Sequence, residues 1–276
     1  MNQGKLYRKI AKLDGAEIFY LDTDAKKPAI LCIHGRCGRA ETWADLMRRY
    51  GAAYRVIAAD QRGHGLSSKP VSGYTDAIMA EDTVRLMDHL QISSAIVVGH
   101  SMGGAVAGYL AAKYPARVKA LAILDKSAAG PEKPFPAEEF RRFNPTKDWP
   151  MPFSSCEEAA EFLRGVACSY LEYRYFMSSL TETAEGWEMR FSSAAMAEGI
   201  ANYTGWYHLL PMIKCPVLLI RSGSHEAVPD EDFEKMKKLL PNCAAREMSH
   251  PDHNVHLADK EEFYGYFDSF LNSVKE

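Results

Sequence analysis

The chain has 276 residues, 47% of them hydrophobic and 25% charged, which is enough to bury a large core as one domain or as one domain with an insertion. Its 19 glycines and 14 prolines are near average usage and exclude collagen-like and low-complexity chains. The formal net charge of -3 gives no electrostatic basis for binding nucleic acid, so no such partner is expected.

The amino end has no apolar segment of signal-peptide type, and no run of eighteen apolar residues occurs anywhere in the chain. We therefore expect a cytoplasmic protein with no membrane partner. The six cysteines are scattered and show no C-x-x-C spacing, so most are expected to be reduced core residues.

Strand and helix patterns alternate along most of the chain, beginning with a hairpin over residues 6–12 and 17–22 whose turn contains Asp14 and Gly15. Nearly continuous apolar runs, typical of parallel strands covered on both faces, follow at 28–35, 54–60, 94–101, 119–125 and 216–223, with a last strand at Ala244–Met248. Helical patterns occur at Thr42–Tyr50, Tyr74–Leu90, Met102–Tyr114 and Asp230–Leu240, and a closing helix is predicted at Leu257–Val274. This order indicates a sheet with helices packed on it.

The alternation stops over residues 127–210. This stretch holds half of the chain's aromatic residues, and six prolines lie between Pro131 and Pro152. We interpret it as a helical cap inserted over the carboxyl ends of the strands, where an open α/β sheet binds its ligands. The catalytic core then consists of residues 1–126 and 211–276.

The segment Gly99-His100-Ser101-Met102-Gly103 matches the G-x-S-x-G pattern between a strand and a helix. Nucleophilic attack by a serine hydroxyl requires a sharp turn that exposes the serine at the helix amino end, with glycines where side chains would collide. The sequence therefore predicts Ser101 as a nucleophile, with the N–H of Met102 facing the developing oxyanion.

With this motif the sequence resembles the α/β-hydrolase superfamily over nearly its whole length. The resemblance also rests on His34-Gly35, on the segment DQRGHGLS (60–67), on PVLLIRSG (216–223) and on HNVHL (253–257). It implies an α/β fold with an eight-stranded, mostly parallel sheet and helices on both faces. It further implies that the backbone N–H of Arg36 is the second oxyanion donor and that His253 is the general base.

Two residues are candidates for the carboxylate that orients His253. The resemblance places it three residues after Gly223, where this chain has Glu226 in place of the usual aspartate. Glu226 is therefore the predicted acid, and Asp125, at the end of the strand over 119–125, is the alternative. A metal site on His250, His253 and His256 is not expected, because Pro251 opposes a helix through them.

A serine at this turn favours acyl transfer to water without a cofactor or metal, and disfavours the aspartyl-ester chemistry of dehalogenases and epoxide hydrolases. The expected partner is a small or medium, mainly apolar ester, thioester or lactone. Aromatic residues of the insertion are the candidate pocket walls, and Arg164 or Arg174 is a candidate for holding a carboxylate. The wall candidates are Trp149, Tyr170, Phe176, Trp187, Tyr203 and Trp206.

Two other functions remain open at this level. A carbon–carbon hydrolase of a diketone-like ring-cleavage product would use the same three catalytic residues. A ligand-binding receptor of the same fold would hydrolyse slowly or not at all, since one fold hosts many functions. The sequence leaves the oligomeric state open.

Overall fold

The computed structural model describes residues 5–275, apart from the side chains of Ala137, Phe140, Arg141 and Lys275. Most of its strands form one eight-stranded sheet in the order β1-β2-β4-β3-β5-β6-β9-β10. The strands are β1 (Tyr7–Leu13), β2 (Ala16–Asp22), β3 (Ala29–Ile33), β4 (Arg55–Ala59), β5 (Ala95–His100), β6 (Val118–Leu124), β7 (Leu180–Glu182), β8 (Trp187–Met189), β9 (Val217–Arg221) and β10 (Cys243–Glu247).

The sheet is antiparallel only at its beginning. β1 pairs with β2, and β2 with β4, in antiparallel register, whereas the pairs from β4 through β3, β5, β6, β9 and β10 are parallel. The predicted hairpin and the mostly parallel sheet are thus confirmed. The carboxyl ends of the parallel strands meet at one edge, which is where such sheets place their sites.

Helices cover both faces of this sheet. They are α1 (Ala44–Tyr50), α2 (Asp76–His89), α3 (Met102–Lys113), α4 (Cys156–Val166), α5 (Tyr170–Ser178), α6 (Ser193–Ala201), α7 (Asp230–Leu239), α8 (Val255–Ala258) and α9 (Lys260–Lys275). No helix in the part of the chain that the structure describes is long and apolar enough to cross a membrane.

Two apolar layers follow from the alternation of side chains along the strands. In β3, Leu31 belongs to the layer beneath α2 and α3, while Ile30 and Cys32 belong to the layer beneath α1 and α9. Every residue of β5 is buried, because both of its faces are covered. This double burial explains why the parallel strands appear in the sequence as continuous apolar runs.

The predicted closing helix is in fact two helices, because Asp259 interrupts it. Asp259 has an extended backbone, and its Oδ1 accepts a hydrogen bond of 3.0 Å from the N–H of Glu262. It is therefore the N-cap of α9, and α8 is a separate short turn.

The insertion between β6 and β9 contains α4, α5 and α6, and also the antiparallel pair β7–β8, which the sequence reasoning did not expect. Each of the three helices begins after a serine whose side chain accepts a hydrogen bond from the N–H three residues later. These N-caps are Ser155, Ser169 and Ser192.

Candidate active site

Ser101 forms the turn between β5 and α3. Its backbone has φ 51 and ψ -122, a conformation that a residue with a side chain rarely adopts. The turn is fixed because Ser101 N–H donates to Leu124 O at 2.9 Å and Gly104 N–H donates to Ser101 O at 2.7 Å. A strained serine directly before a helix is typical of an exposed nucleophile.

The two glycines around Ser101 are required by close backbone approaches. A Cβ at Gly99 would lie 2.1 Å from Gly103 O, and a Cβ at Gly103 would lie 2.3 Å from Ile33 O. Any side chain at either position would therefore push apart the turn or the neighbouring strand β3.

His253, in the loop between β10 and α8, pairs with Asp125. His253 Nδ1 lies 2.7 Å from Asp125 Oδ2, and Asp125 is fully buried at the carboxyl end of β6. The other carboxylate oxygen of Asp125 accepts a hydrogen bond of 2.8 Å from Ser222 N–H. The carboxylate thus holds the proton on Nδ1 and leaves Nε2 of His253 free to accept one.

Glu226, the acid predicted from the sequence, does not occupy this position. Its side chain is exposed and lines the wider space beside His253, and it makes no hydrogen bond to His253 among the described residues. The expected pairing of Glu226 with His253 is therefore corrected to a pairing with Asp125, the alternative. The motif located the loop, but the hydrogen bond from Ser222 N–H that orients the Asp125 carboxylate joins residues distant in sequence.

The loop after β3 brings Arg36 to the same place. A Cβ at Gly35 would lie 3.1 Å from Ser101 Cβ, so this loop passes directly beside the serine. Gly38 N–H donates to Gly35 O at 3.1 Å across a tight turn, with Cys37 at φ 63. Met102 is the first residue of α3, so its N–H has no partner within the helix.

Arg36, Ser101 and His253 come together at one cavity of about 250 Å³. Its walls include Arg36, Ser101, Glu172, Tyr175, Phe176 and His253. A wider pocket of about 580 Å³ lies beside it and shares Glu172, His253 and Asn254 with it. The His253 side of the cavity therefore opens towards the larger space.

The histidines beside the site are buried and neutral. His34 Nδ1 donates to Gly35 O at 2.7 Å, and burial lowers the pKa of His34 to about 4. His100 Nε2 donates to His253 O at 2.8 Å, and burial holds the pKa of His100 well below its usual value. His100 thus supports the backbone that carries His253, and His34 stabilises the loop that carries Arg36.

His250, His253 and His256 do not converge on one point. His256 is buried with its ring stacked on Trp43 at 4.3 Å, and burial lowers its pKa to about 3, whereas His250 is exposed. Within residues 5–275, no three histidine, cysteine or acidic side chains are grouped so as to hold a metal ion.

Only part of the predicted aromatic wall lies at the cavity. Phe176 lines it, whereas Tyr170 is 72% exposed and Trp206 packs on α3, where a Cβ at Gly108 would lie 2.6 Å from its ring. Tyr175, which sequence reasoning missed, is buried in the wall and donates to Gly35 O at 3.3 Å. Its position at i+5 from Tyr170 in a helix rich in aromatics did not distinguish it from scaffold residues.

Comparisons with known proteins agree with this geometry. Residues 28–260 match the family described as alpha/beta hydrolase fold. A putative esterase/lipase of Haemophilus influenzae is 28% identical over 86% of this chain and 80% of its own length. A 2-(acetamidomethylene)succinate hydrolase of Mesorhizobium japonicum is 29% identical over 85% and 84%.

Among solved structures, that of an E-2-(acetamidomethylene)succinate hydrolase superposes with a TM-score of 0.84 at 24% identity, covering 97% of this chain and 100% of the other. This likeness extends through the insertion as well as the sheet. The chain therefore belongs to the α/β-hydrolase family, and it is a hydrolase.

Proposed function

We propose that the protein hydrolyses a small carboxylic ester, thioester or lactone through Ser101, His253 and Asp125. The observation that carries the proposal is the 2.7 Å contact between His253 Nδ1 and the buried Asp125 carboxylate, with His253 and the strained Ser101 in the walls of one cavity. The size of that cavity, about 250 Å³, favours a small acyl group.

In the first half of the cycle, Nε2 of His253 removes the Ser101 proton as Oγ attacks the substrate carbonyl carbon. The backbone N–H groups of Arg36 and Met102 stabilise the resulting oxyanion. The imidazolium then donates its proton to the leaving oxygen or sulfur, which departs as an alcohol or thiol. Asp125 stabilises the imidazolium and stays ionised throughout.

In the second half, water replaces the leaving group. His253 takes a proton from the water as it attacks the acyl-enzyme, and returns that proton to Ser101 Oγ when the acid leaves. One water is consumed for each ester bond cleaved, and no oxidant or reductant is needed. We propose this reaction without a metal or cofactor, because the three side chains supply the nucleophile, base and orienting acid.

A carbon–carbon hydrolase would use the same three residues, so only the choice of substrate distinguishes this function from ester hydrolysis. The relative named for 2-(acetamidomethylene)succinate adds amides to the bonds worth testing. The ester reading is favoured here because a putative esterase/lipase matches most of the chain.

The test is hydrolysis of short 4-nitrophenyl esters by the wild-type protein and by Ser101→Ala. We expect wild-type turnover with an initial burst, and a loss of about 10⁴-fold or more in Ser101→Ala. Ser93→Ala is the matched control, because Ser93 is exposed at the opposite end of the sheet and should keep full activity. Equal turnover by wild type and Ser101→Ala, or no turnover by folded wild type, would contradict the proposal.

A further inference from the structure

Three charged side chains from separate parts of the chain lie near the proposed nucleophile: Asp76 and Lys126 are partly buried, and Arg36 is exposed where it lines the cavity. Arg36 follows β3, Asp76 is the first residue of α2, and Lys126 follows Asp125 at the end of β6. The positive charges of Lys126 and Arg36 both act on the Asp76 carboxylate. Burial lowers the pKa of Lys126 to about 8 and raises that of Asp76 to about 6.

None of the three side chains makes a hydrogen bond, or an ion pair within 4.0 Å, among the described residues. Lys126 instead lies over the ring of Tyr203, with Nζ 3.9 Å from the ring centroid. Charges that lose part of their contact with water are normally paired, since desolvation is costly, and this applies to the partly buried Asp76 and Lys126. At neutral pH this group holds two cations and one carboxylate, so one positive charge has no counterpart.

Arg36 connects this group to the active site. It lines the cavity with Ser101 and retains solvent-exposed surface, although burial by the surrounding protein lowers its pKa. Lys126 lies behind the first turn of α3, where a Cβ at Gly104 would be 3.0 Å from its own Cβ. Both cations are thus near the turn that carries Ser101.

A negative group lies where the cavity meets the wider pocket. Glu172 lines both the cavity and the wider pocket, and accepts a hydrogen bond of 2.6 Å from Cys168 N–H. The remaining titratable neighbours of the cations are Cys37, Tyr203 and His64. Burial raises the pKa of Cys37 and of Tyr203 and lowers that of His64, so all three stay neutral. The cavity is therefore positive beside Arg36 and negative where it meets the wider pocket.

The order of groups along the cavity assigns the two halves of the substrate. The leaving group must be near His253, which protonates it, and that side opens into the wider pocket. The acyl group then occupies the side of the cavity that Arg36 lines and that the wider pocket does not share. We infer that Arg36 and Lys126 form an anion subsite for a carboxylate on the acyl group, so that the substrates are half-esters or half-thioesters of dicarboxylic acids.

This inference rests on the proposed function, and the test separates the two. It compares kcat/KM for mono-4-nitrophenyl glutarate with that for its neutral methyl ester, each corrected by the rate with Ser101→Ala. We expect the wild type to prefer the anion by about tenfold or more. Arg36→Met and Lys126→Met should each reduce that ratio about tenfold or more, whereas Lys126→Arg should retain most of it.

Two further variants control for charge. Lys119→Met removes an exposed lysine near the amino end of β6 and should leave the ratio unchanged. Glu172→Gln should raise the ratio, because it removes the repelling carboxylate. Should Lys126→Met fold poorly, inhibition of neutral-ester hydrolysis by glutarate gives a second measurement: Arg36→Met should weaken this inhibition about tenfold, and equal inhibition of Arg36→Met and wild type would contradict the subsite.

A wild-type ratio near one, or a ratio that Arg36→Met and Lys126→Met leave unchanged, would overturn the subsite. In that case Ser101-dependent turnover of the neutral ester would still support the proposed function. Absence of Ser101-dependent turnover with both esters would instead overturn the proposed function.

Discussion

Asp125 and Glu226 lie in neighbouring loops at the carboxyl edge of the sheet, yet only Asp125 contacts His253. Sequence spacing could identify both as candidates, because each follows a strand. It could not show which carboxylate meets His253, because the Asp125 carboxylate is oriented by the N–H of Ser222, a residue distant in sequence.

Replacing each of these two carboxylates by the matching amide should affect turnover very differently. Asp125→Asn should lower kcat about 10³–10⁴-fold, because an amide no longer fixes the proton on His253 Nδ1 or stabilises the imidazolium. Glu226→Gln should stay within about threefold of wild type, since this exposed side chain is not bonded to His253. Steady-state kinetics with a neutral ester would check both, and the reverse order of losses would restore Glu226 as the acid.

Lys126 should make the preference for an anionic ester depend on pH. Its pKa of about 8 means that it is charged below that pH and neutral above it, while Arg36 keeps its charge. The preference for an anionic over a neutral ester, measured as a ratio of kcat/KM, should therefore fall as pH rises through about 8. Lys126→Arg should shift this fall to higher pH, and a ratio that is flat from pH 6 to 10 in wild type would contradict the role given to Lys126.

Helix α5 of the insertion and the residue that follows it are hydrogen-bonded to the loop of Arg36. Ser179 Oγ donates to Cys37 O at 2.7 Å, and Arg39 Nη1 donates to Ser178 O at 2.6 Å. The Ser179 bond engages a carbonyl of the loop, and the Arg39 bond joins the loop to the end of α5, so together they help to fix the direction of the loop's N–H groups. The insertion thus supports the proposed oxyanion donors as well as covering the cavity.

Ser179→Ala should therefore lower kcat about tenfold with little change in KM, because the loop is less firmly held when the transition state forms. Ser178→Ala is the matched control, since that hydroxyl bonds to Tyr175 O within its own helix and should have a smaller effect. Burst kinetics with a short ester would measure the acylation step. A pure KM effect in Ser179→Ala would show that the contact serves binding instead.

The elements of the sheet were well predicted because buried strands and amphipathic helices leave strong periodic patterns. The insertion was predicted only coarsely. Its short pair β7–β8 has three residues per strand, too few for a pattern, and its wall residue Tyr175 is one aromatic among several in α5. The group formed by Arg36, Asp76 and Lys126 was not predicted, because the three come together only through the fold.

Across the whole molecule, the insertion and the sheet share one apolar layer. That layer contains Leu163 and Trp206 from the insertion together with Leu31 and Val97 from the sheet. Since neither part can expose this surface without cost, the two should unfold together.

Denaturant unfolding tests whether the insertion and the sheet unfold together. Three of the four tryptophans, Trp149, Trp187 and Trp206, lie in the insertion, so fluorescence of a Trp43→Phe variant reports on that segment. Its transition should coincide with that of far-ultraviolet circular dichroism on the same sample. Fluorescence midpoints at clearly lower denaturant would show that the insertion unfolds on its own.

In the proposed cycle, Ser101 carries the acyl group during turnover. Acid quenching during the burst with a 4-nitrophenyl ester, followed by mass spectrometry of the intact protein and its peptides, would detect that acyl-enzyme. We expect one acyl adduct, on the peptide containing Ser101, in wild type and none in Ser101→Ala. Steady ester turnover with the adduct on a different residue would contradict it.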